Sequence, residues 1–307
     1  SGLTNDNYVL HRKGIHAMKS AAFVFMLFVF AATCAGAQVA GVEHVLVIGV
    51  DGMAPFGIQA ADTPVMDGLM KRGAYTMHAR AVMPTSSSPN WASMIMGAGP
   101  EQHGVTSNEW QPDKHEIEPI AKGPGGIFPT IFSVLCEQRP DAHIAVLHHW
   151  DGFGRLLERD AVNFIANPKT EDLNAQRAVE YIQENKPTFL FVHLDHVDHA
   201  GHEMGWRTPE YKAAVAKADA LIGQMLDALK AAGIQDKTIV LVTADHGGKN
   251  KGHGGSTMDE IEIPWIIAGP GIATGREITT PVDTYQTAAT VAYIFGIKPP
   301  SVWIARP

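Results

Sequence analysis

Four stretches of this chain place metal-ligating or nucleophilic side chains directly after, or close to, an apolar run. In an open parallel sheet, ligands gather at the carboxyl ends of the strands, so such junctions are where chemistry is expected. Val45–Val50 ends in Asp51-Gly52, a carboxylate followed by a residue that lets the backbone turn closely. Phe189–Leu194 runs into Asp195-His196-Val197-Asp198-His199-Ala200-Gly201-His202, which carries two carboxylates and three imidazoles. Ile239–Thr243 precedes Asp245-His246-Gly247-Gly248, with His253-Gly254-Gly255 shortly after. The fourth stretch is the hydroxyl cluster Thr85-Ser86-Ser87-Ser88, leading through Pro89-Asn90 into a helical segment, Trp91–Met96.

Any one of these Asp or His residues, taken alone, reads as a cap or an exposed loop residue. Their joint placement points to metal. Mixed oxygen and nitrogen donors suit zinc, with manganese as the alternative, whereas an all-oxygen cage would suit magnesium or calcium. If Pro89 is the first helical residue, Ser88 is the N-cap and Ser87 projects just ahead of the helix, where the dipole favours an anion. A serine hydroxyl is a weak nucleophile at neutral pH, and coordination to a divalent ion activates it. The bland reading of the same cluster is a helix cap in a polar loop.

These residues resemble the alkaline phosphatase superfamily, and within it the type I phosphodiesterase/nucleotide pyrophosphatase branch, over roughly Val45 to Gly271. The family's Asp after its first strand falls on Asp51. Its Thr or Ser nucleophile, in a Pro-Thr-x-Thr-x-Pro-Asn context, falls on Ser87, and its Asn after a His-Gly pair falls on Asn108, following His103-Gly104. Its Asp-x-x-x-His element matches Asp198 and His202, its Asp-His pair Asp245 and His246, and its final His His253. The resemblance implies that Asp51, Asp245, His246 and the Ser87 oxygen hold one zinc, and that Asp198, His202 and His253 hold the other. It also implies in-line attack by Ser87, a phosphoserine intermediate that is then hydrolysed, and Asn108 donating to a non-bridging oxygen. Nucleotide-cleaving members carry aromatics where this chain has Ser88 and His193, so base stacking is expected to be poorer. Asn108 and His193 are the two expected substrate contacts. The stretch between His246 and His253 lacks the long insertion of the larger enzymes.

The elements that must position these residues are those of an α/β fold, a mostly parallel central sheet with helices on both faces. Strands are predicted at Val45–Val50, His143–Leu147, Thr188–Leu194, Thr238–Thr243 and Pro264–Ala268. The clearest helix begins at Thr208-Pro209, places Val215, Ala218, Ile222, Met225 and Leu229 on one stripe, and stops at Gly233. Shorter helices are predicted at Thr63–Arg72, Pro129–Glu137, Leu173–Gln183 and Thr284–Phe295. Residues 106–128, rich in Gly, Pro and charge, fit neither period and are expected to form a surface excursion near the site.

With 307 residues and 45% hydrophobic content, the chain can bury a full core, and a disordered chain is excluded. Residues 1–37 read as a leader: a start before Met18 that is over-extended or added, then Met18-Lys19-Ser20, an apolar run from Ala21 to Ala32, and the small-x-small site Ala35-Gly36-Ala37. Residues 38–307 then form a single catalytic domain, exported to the periplasm or secreted, with no transmembrane segment. Cys34 offers a lesser alternative, a lipid anchor. Cleavage after Ala37 leaves Cys136 alone, so the mature chain has no internal disulfide. It also removes Arg12, Lys13 and Lys19 with Asp6, taking the formal charge from −8 to −10 and arguing against a nucleic-acid-binding surface. The expected partner is a small-molecule phosphate ester, and the chain gives no reading of oligomeric state. A phosphodiesterase is the leading function, with a phosphomonoesterase next and a non-catalytic zinc-binding protein third. A sulfatase is disfavoured because no Arg completes a Ser-x-Pro-x-Arg signature after Ser88-Pro89.

Overall fold

The computed structural model describes residues 38–307, so the leader, its cleavage site and Cys34 lie outside the described residues. An eight-stranded sheet runs in the order β4 (Phe164–Ala166), β3 (Ile144–His148), β5 (Phe189–Leu194), β1 (His44–Val50), β6 (Thr238–Thr243), β7 (Glu262–Ala268), β2 (Ala74–Arg80) and β8 (Arg276–Glu277). β1 pairs in parallel with both β5 and β6, and Gly49 lies level with His193 on one side and Thr243 on the other. The carboxyl ends of three adjacent strands therefore open at one height. β7 runs antiparallel to β6 and β2, so the sheet is parallel in its centre and mixed toward the β2 edge.

Continuous apolar runs form the central strands because both faces of the sheet are covered, and every residue of β3, β5 and β6 is buried. α8 (Pro209–Ala231) packs with α1 (Pro55–Ala60), α2 (Pro64–Arg72), α6 (Glu171–Asn185) and α7 (His196–Met204) in one layer. α3 (Ser87–Met96), α5 (Ile131–Gln138) and α10 (Gln286–Phe295) pack together in a second. Phe189, Phe191 and His193, spaced by two along β5, share the face that meets Phe132, Trp91 and Phe153. The predicted stripe on α8 is buried throughout, and Thr208 caps that helix by accepting the N–H of Tyr211.

α8 also serves the site. Tyr211 in its first turn donates its hydroxyl to the carbonyl of Gly52 at 2.9 Å and accepts the N–H of Ala54 at 3.0 Å. Trp206, just before the helix, donates to the same Gly52 carbonyl at 3.0 Å. The turn that carries Asp51 is thus tied down from two directions. Two one-turn helices, α4 (Pro100–His103) and α9 (Met258–Ile261), complete the set.

The His103-Gly104 pair shapes the loop leading to Asn108. Gly104 adopts φ +77°, and a Cβ there would overlap the carbonyl of Ile117. His103 is buried; its Nδ1 accepts the N–H of Val105 at 3.0 Å, so its Nε2–H donates to Ser93 Oγ on α3 at 2.9 Å. Burial holds its pKa down at about 3. The unfolded chain therefore takes up a proton that the folded chain refuses once the pH drops below the ordinary histidine value. His103 contributes full stability above about pH 6.5 and loses it as the pH falls toward 3, with about 2 kcal/mol gone by pH 5. In chelator, the change in stability from pH 7 to 5 read by chemical denaturation should be less favourable in the wild type than in His103→Gln by about 2 kcal/mol. Equal changes would mean that His103 is not held neutral by burial.

Candidate metal centre and active site

Three carboxylates from the ends of β1 and β6 and from the first turn of α7 meet in one buried place, and each has one oxygen already engaged. Asp51 Oδ2 accepts from Trp91 Nε1 at 3.0 Å and from His193 Nε2 at 3.2 Å. Asp245 Oδ1 accepts the N–H of Gly52 at 3.1 Å, and Asp198 Oδ2 lies 3.3 Å from His202 Nε2. The opposite oxygens, Asp51 Oδ1, Asp245 Oδ2 and Asp198 Oδ1, are buried with no hydrogen-bond partner among the described residues.

The histidines repeat the pattern. His246 Nδ1 bonds the carbonyl of Gly247 at 2.7 Å, His253 Nδ1 that of Thr85 at 2.9 Å, and His202 Nδ1 that of Lys251 at 3.0 Å. A carbonyl can only accept, so each ring carries a proton on Nδ1; His246 and His253 then turn an Nε2 lone pair inward, while the Nε2 of His202 shares a proton with Asp198. His246 Nε2 then faces Asp245 Oδ2 at 3.2 Å, Asp51 Oδ1 at 3.4 Å and Ser87 Oγ at 3.2 Å. His253 Nε2 faces Asp198 Oδ1 at 3.7 Å. Apart from the His202–Asp198 pair, carboxylate oxygens and imidazole lone pairs converge with only the Ser87 proton to share, a donor set that fits divalent cations. Asp51, Asp245 and His246 form one group with ligand atoms within 4.8 Å of one another, and Asp198, His246 and His253 form a second.

Without a cation, protons must compensate. Burial and the neighbouring Asp198 charge push Asp51 up to about 7, and burial together with Asp51 pushes Asp245 well above the carboxylate range. Its bond to Asp198 lifts His202 to about 9. Burial works to raise Asp198, yet its bond to His202 leaves it below the usual value. His246 is driven down to about 3 by burial and stays neutral.

Ser87 and Asn108 meet these groups from the side of α3. The helix begins two residues earlier than the Pro89 signal suggests: Ser86, with no side-chain capping bond, is the N-cap, and Ser87 is the first helical residue. Ser88 is therefore not the cap. Its free N–H is taken instead by Asn108 Oδ1 at 2.8 Å, which fixes the amide oxygen of a residue that lines the cleft. Asn90 locks the serine loop by accepting the N–H of Val82 at 2.7 Å and donating to the carbonyls of Pro84 and Ser86 at 3.0 and 2.9 Å. Arg155 holds the 106–128 excursion by donating to the carbonyls of Asn108 and Trp110, both at 3.1 Å.

The profile of type I phosphodiesterase / nucleotide pyrophosphatase matches residues 45–122 and 134–259, well over half of the chain. The chain belongs to that family. It is 26% identical over 217 residues to a bis(5′-adenosyl)-triphosphatase of Mus musculus, covering 66% of this chain and 47% of the relative. It is 25% identical over 221 residues to ectonucleotide pyrophosphatase/phosphodiesterase family member 1 of Homo sapiens, covering 60% of this chain and 21% of that protein. The chain spans about half or less of the length of these relatives. Among solved structures, an inactive form of murine ectonucleotide pyrophosphatase/phosphodiesterase 5 in complex with AMP superposes with a TM-score of 0.70 at 13% identity, over 84% of this chain and 96% of that one. A 2-O glycosaminoglycan sulfatase superposes at 0.66 with 18% identity, over 86% of this chain and 72% of that one. These two likenesses show the fold.

In this family member, Ser87, Asn108, Asp198, His202 and His253 line a cleft of ≈ 330 Å³, together with Trp150, Asp195, His199 and Glu203. Asp195 and His199 belong to the polar cluster that follows β5 in sequence; Glu203 and Trp150 carry no sequence signal of a place in the site. Among the aromatics of this region, Trp91 and Phe128 are fully buried and Trp110 nearly so, while Trp150 lines the cleft. His193 does not take the place of a base-gripping aromatic. It is fully buried under Trp91 and turned to Asp51, so its expected role as a substrate contact is corrected. Gly52 adopts φ +68°, and a Cβ there would stand 2.9 Å from the backbone and side chain of Asp198. Gly52→Ala should therefore lower zinc affinity by about tenfold or more, roughly 1.4 kcal/mol, while leaving the far-UV circular dichroism unchanged. Wild-type affinity in a chelator competition would mean that Asp198 is not held where Gly52 allows.

Proposed function

We propose that this chain is a metal-dependent hydrolase of phosphoric esters that transfers the phosphoryl group to Ser87 and then to water, with phosphodiesters, nucleotidyl esters among them, as its substrates. The observation that carries this reading is the meeting of inward-facing imidazole and carboxylate lone pairs with the hydroxyl of Ser87, on a chain that belongs to a phosphodiesterase family. Asp51, Asp245, His246 and Ser87 would hold one zinc or manganese ion, and Asp198, His202 and His253 a second. Such ions, when bound, lower the pKa of the serine hydroxyl and offset charge on the leaving oxygen.

The chain's own residues supply the rest. His246 Nε2 lies 3.2 Å from Ser87 Oγ and fixes that oxygen at the start of α3, where the helix dipole favours an anionic phosphoryl group. Asn108, its oxygen engaged by Ser88, is left to donate from Nδ2 to a non-bridging oxygen. No Lys or Arg among the described residues lines the cleft, and Lys251 spends its ammonium on the carbonyl of Glu203 at 2.7 Å. A monoester dianion asks for an added cation, so this lining favours diesters over the alternative phosphomonoesterase. The relative named as a bis(5′-adenosyl)-triphosphatase supports a nucleotidyl substrate. The leader-like residues 18–37 and the relatives named as ectonucleotide enzymes support export, and no helix among the described residues is long and apolar enough to cross a membrane.

Initial rates of the zinc-loaded protein on bis-p-nitrophenyl phosphate, p-nitrophenyl phosphate and the p-nitrophenyl ester of thymidine 5′-monophosphate test this. The diesters should turn over faster than the monoester, and both Ser87→Ala and exhaustive chelation should remove the activity. A faster monoester would make the protein a phosphatase, and a fully active Ser87→Ala variant would discard the serine mechanism. Where a base stacks on Trp150, Trp150→Ala should raise KM for the thymidine ester by about 5- to 150-fold, the equivalent of roughly 1–3 kcal/mol, and leave bis-p-nitrophenyl phosphate unaffected. Equal effects on both esters would show that Trp150 contacts no base.

A further inference from the structure

Asp51 differs from the other two carboxylates of the centre in that its outer oxygen is held by two side-chain donors, the indole of Trp91 and the imidazole of His193. His193 sits at the end of β5, level with Gly49 of β1 and His148 of β3, and is fully buried. Its Nδ1 accepts the backbone N–H of His149 at 3.4 Å, so its proton is on Nε2 and the ring is a donor toward Asp51 Oδ2. Unlike His246 and His253, it turns a proton to the centre and not a lone pair.

The surroundings are built to keep it there. The ring of Trp91 stands edge-on to it with centroids 4.8 Å apart, the ring of Phe153 lies at 5.3 Å, and Asn174 Nδ2 donates to the His193 carbonyl at 2.7 Å. A Cβ on Gly49 would overlap the Trp91 ring, so the glycine lets the indole lie against β1 with its N–H on Asp51. Asp51 Oδ2, His193 and Asp195 lie close enough together to hold a cation of their own. The two N–H groups already aimed at Oδ2 speak against one, because the indole proton cannot be given up.

We propose that His193 is a positioning residue for the metal centre: with Trp91 it occupies Asp51 Oδ2 and thereby presents Oδ1 alone to the ion shared with Asp245, His246 and Ser87. This rests on the metal-centre reading above. Donors behind a ligating carboxylate fix its orientation, and their loss weakens metal binding by about 10- to 100-fold.

The test compares wild type, His193→Phe, which keeps a ring against Trp91 and Phe153 but no nitrogen, and His193→Gln, which keeps an N–H donor. Zinc affinity is read by competition with a chromophoric chelator, the visible spectrum is recorded with Co²⁺, and melting is followed without metal. His193→Phe should weaken one of two zinc equivalents by about 10- to 100-fold, spare the other and alter the cobalt bands. His193→Gln should recover most of the affinity, with the metal-free melting temperatures of the two variants alike. Wild-type affinity and an unchanged cobalt spectrum in His193→Phe would overturn the proposal, as would a glutamine variant no better than the phenylalanine one. Loss of a whole third equivalent would make His193 a ligand in its own right and overturn it too. A wild type that takes up no divalent ion fails the metal-centre reading itself, before any variant is compared.

Discussion

The arrangement depends on one constraint, the locking of three imidazoles by carbonyls behind them. Gly247, Thr85 and Lys251 each take an Nδ1 proton, and so His246 and His253 present a bare Nε2 to carboxylate oxygens that are bare as well, while the Nε2 of His202 shares a proton with Asp198. Burial raises the proton affinity of Asp51 and Asp245, each lifted further by a neighbouring carboxylate, while the bond to Asp198 raises that of His202. A core of parallel strands can carry such a centre because it is stabilised elsewhere, by strands buried on both faces. The strained atoms sit only where the strands end.

Placement follows from the same geometry. β1 is flanked in parallel register by β5 and β6, so Asp51, the α7 residues and Asp245-His246 emerge side by side. The turn after β1 is the pivot, since Gly52 gives its N–H to Asp245 while its carbonyl is held by both Tyr211 and Trp206. A helix that looks purely structural in sequence, α8, thus sets the position of the first ligand. Dual use of this kind is common where a site sits on rigid elements.

The central strands and the ligand types were legible because both leave local marks: unbroken apolar runs, then polar residues at their ends. β2 was not legible, since Ala74–Arg80 is only half buried and mixes Thr, His and Arg with apolar residues. α7 was missed because only Val197 and Met204 among its nine residues are large and apolar, too few to mark a helical period, although its i, i+4 spacing is what sets Asp198 beside His202. Ser88 was mistaken for the cap because Pro at the first helical position is only a preference, and the serine loop is locked by Asn90 instead. His193 shows the limit most plainly. An imidazole in an aromatic's place reads as a substrate contact until the pairing of β5 with β1 shows which way it points.

The charge around the cleft bears on what it would accept. On the proposed two-ion occupancy, the positive charge of the ions is matched by Asp51, Asp198, Asp245 and a Ser87 alkoxide, with none left over. Asp195 and Glu203 add carboxylates at the lining, although burial and the nearby Asp51 charge lift Asp195 to about 6 and so make it the easiest of these to neutralise. A second negative charge on the substrate would meet no compensating cation from the protein, whereas the single charge of a diester needs little beyond Asn108 and the first turn of α3. The same residues that make the site demand metal therefore also set how much anion it can hold.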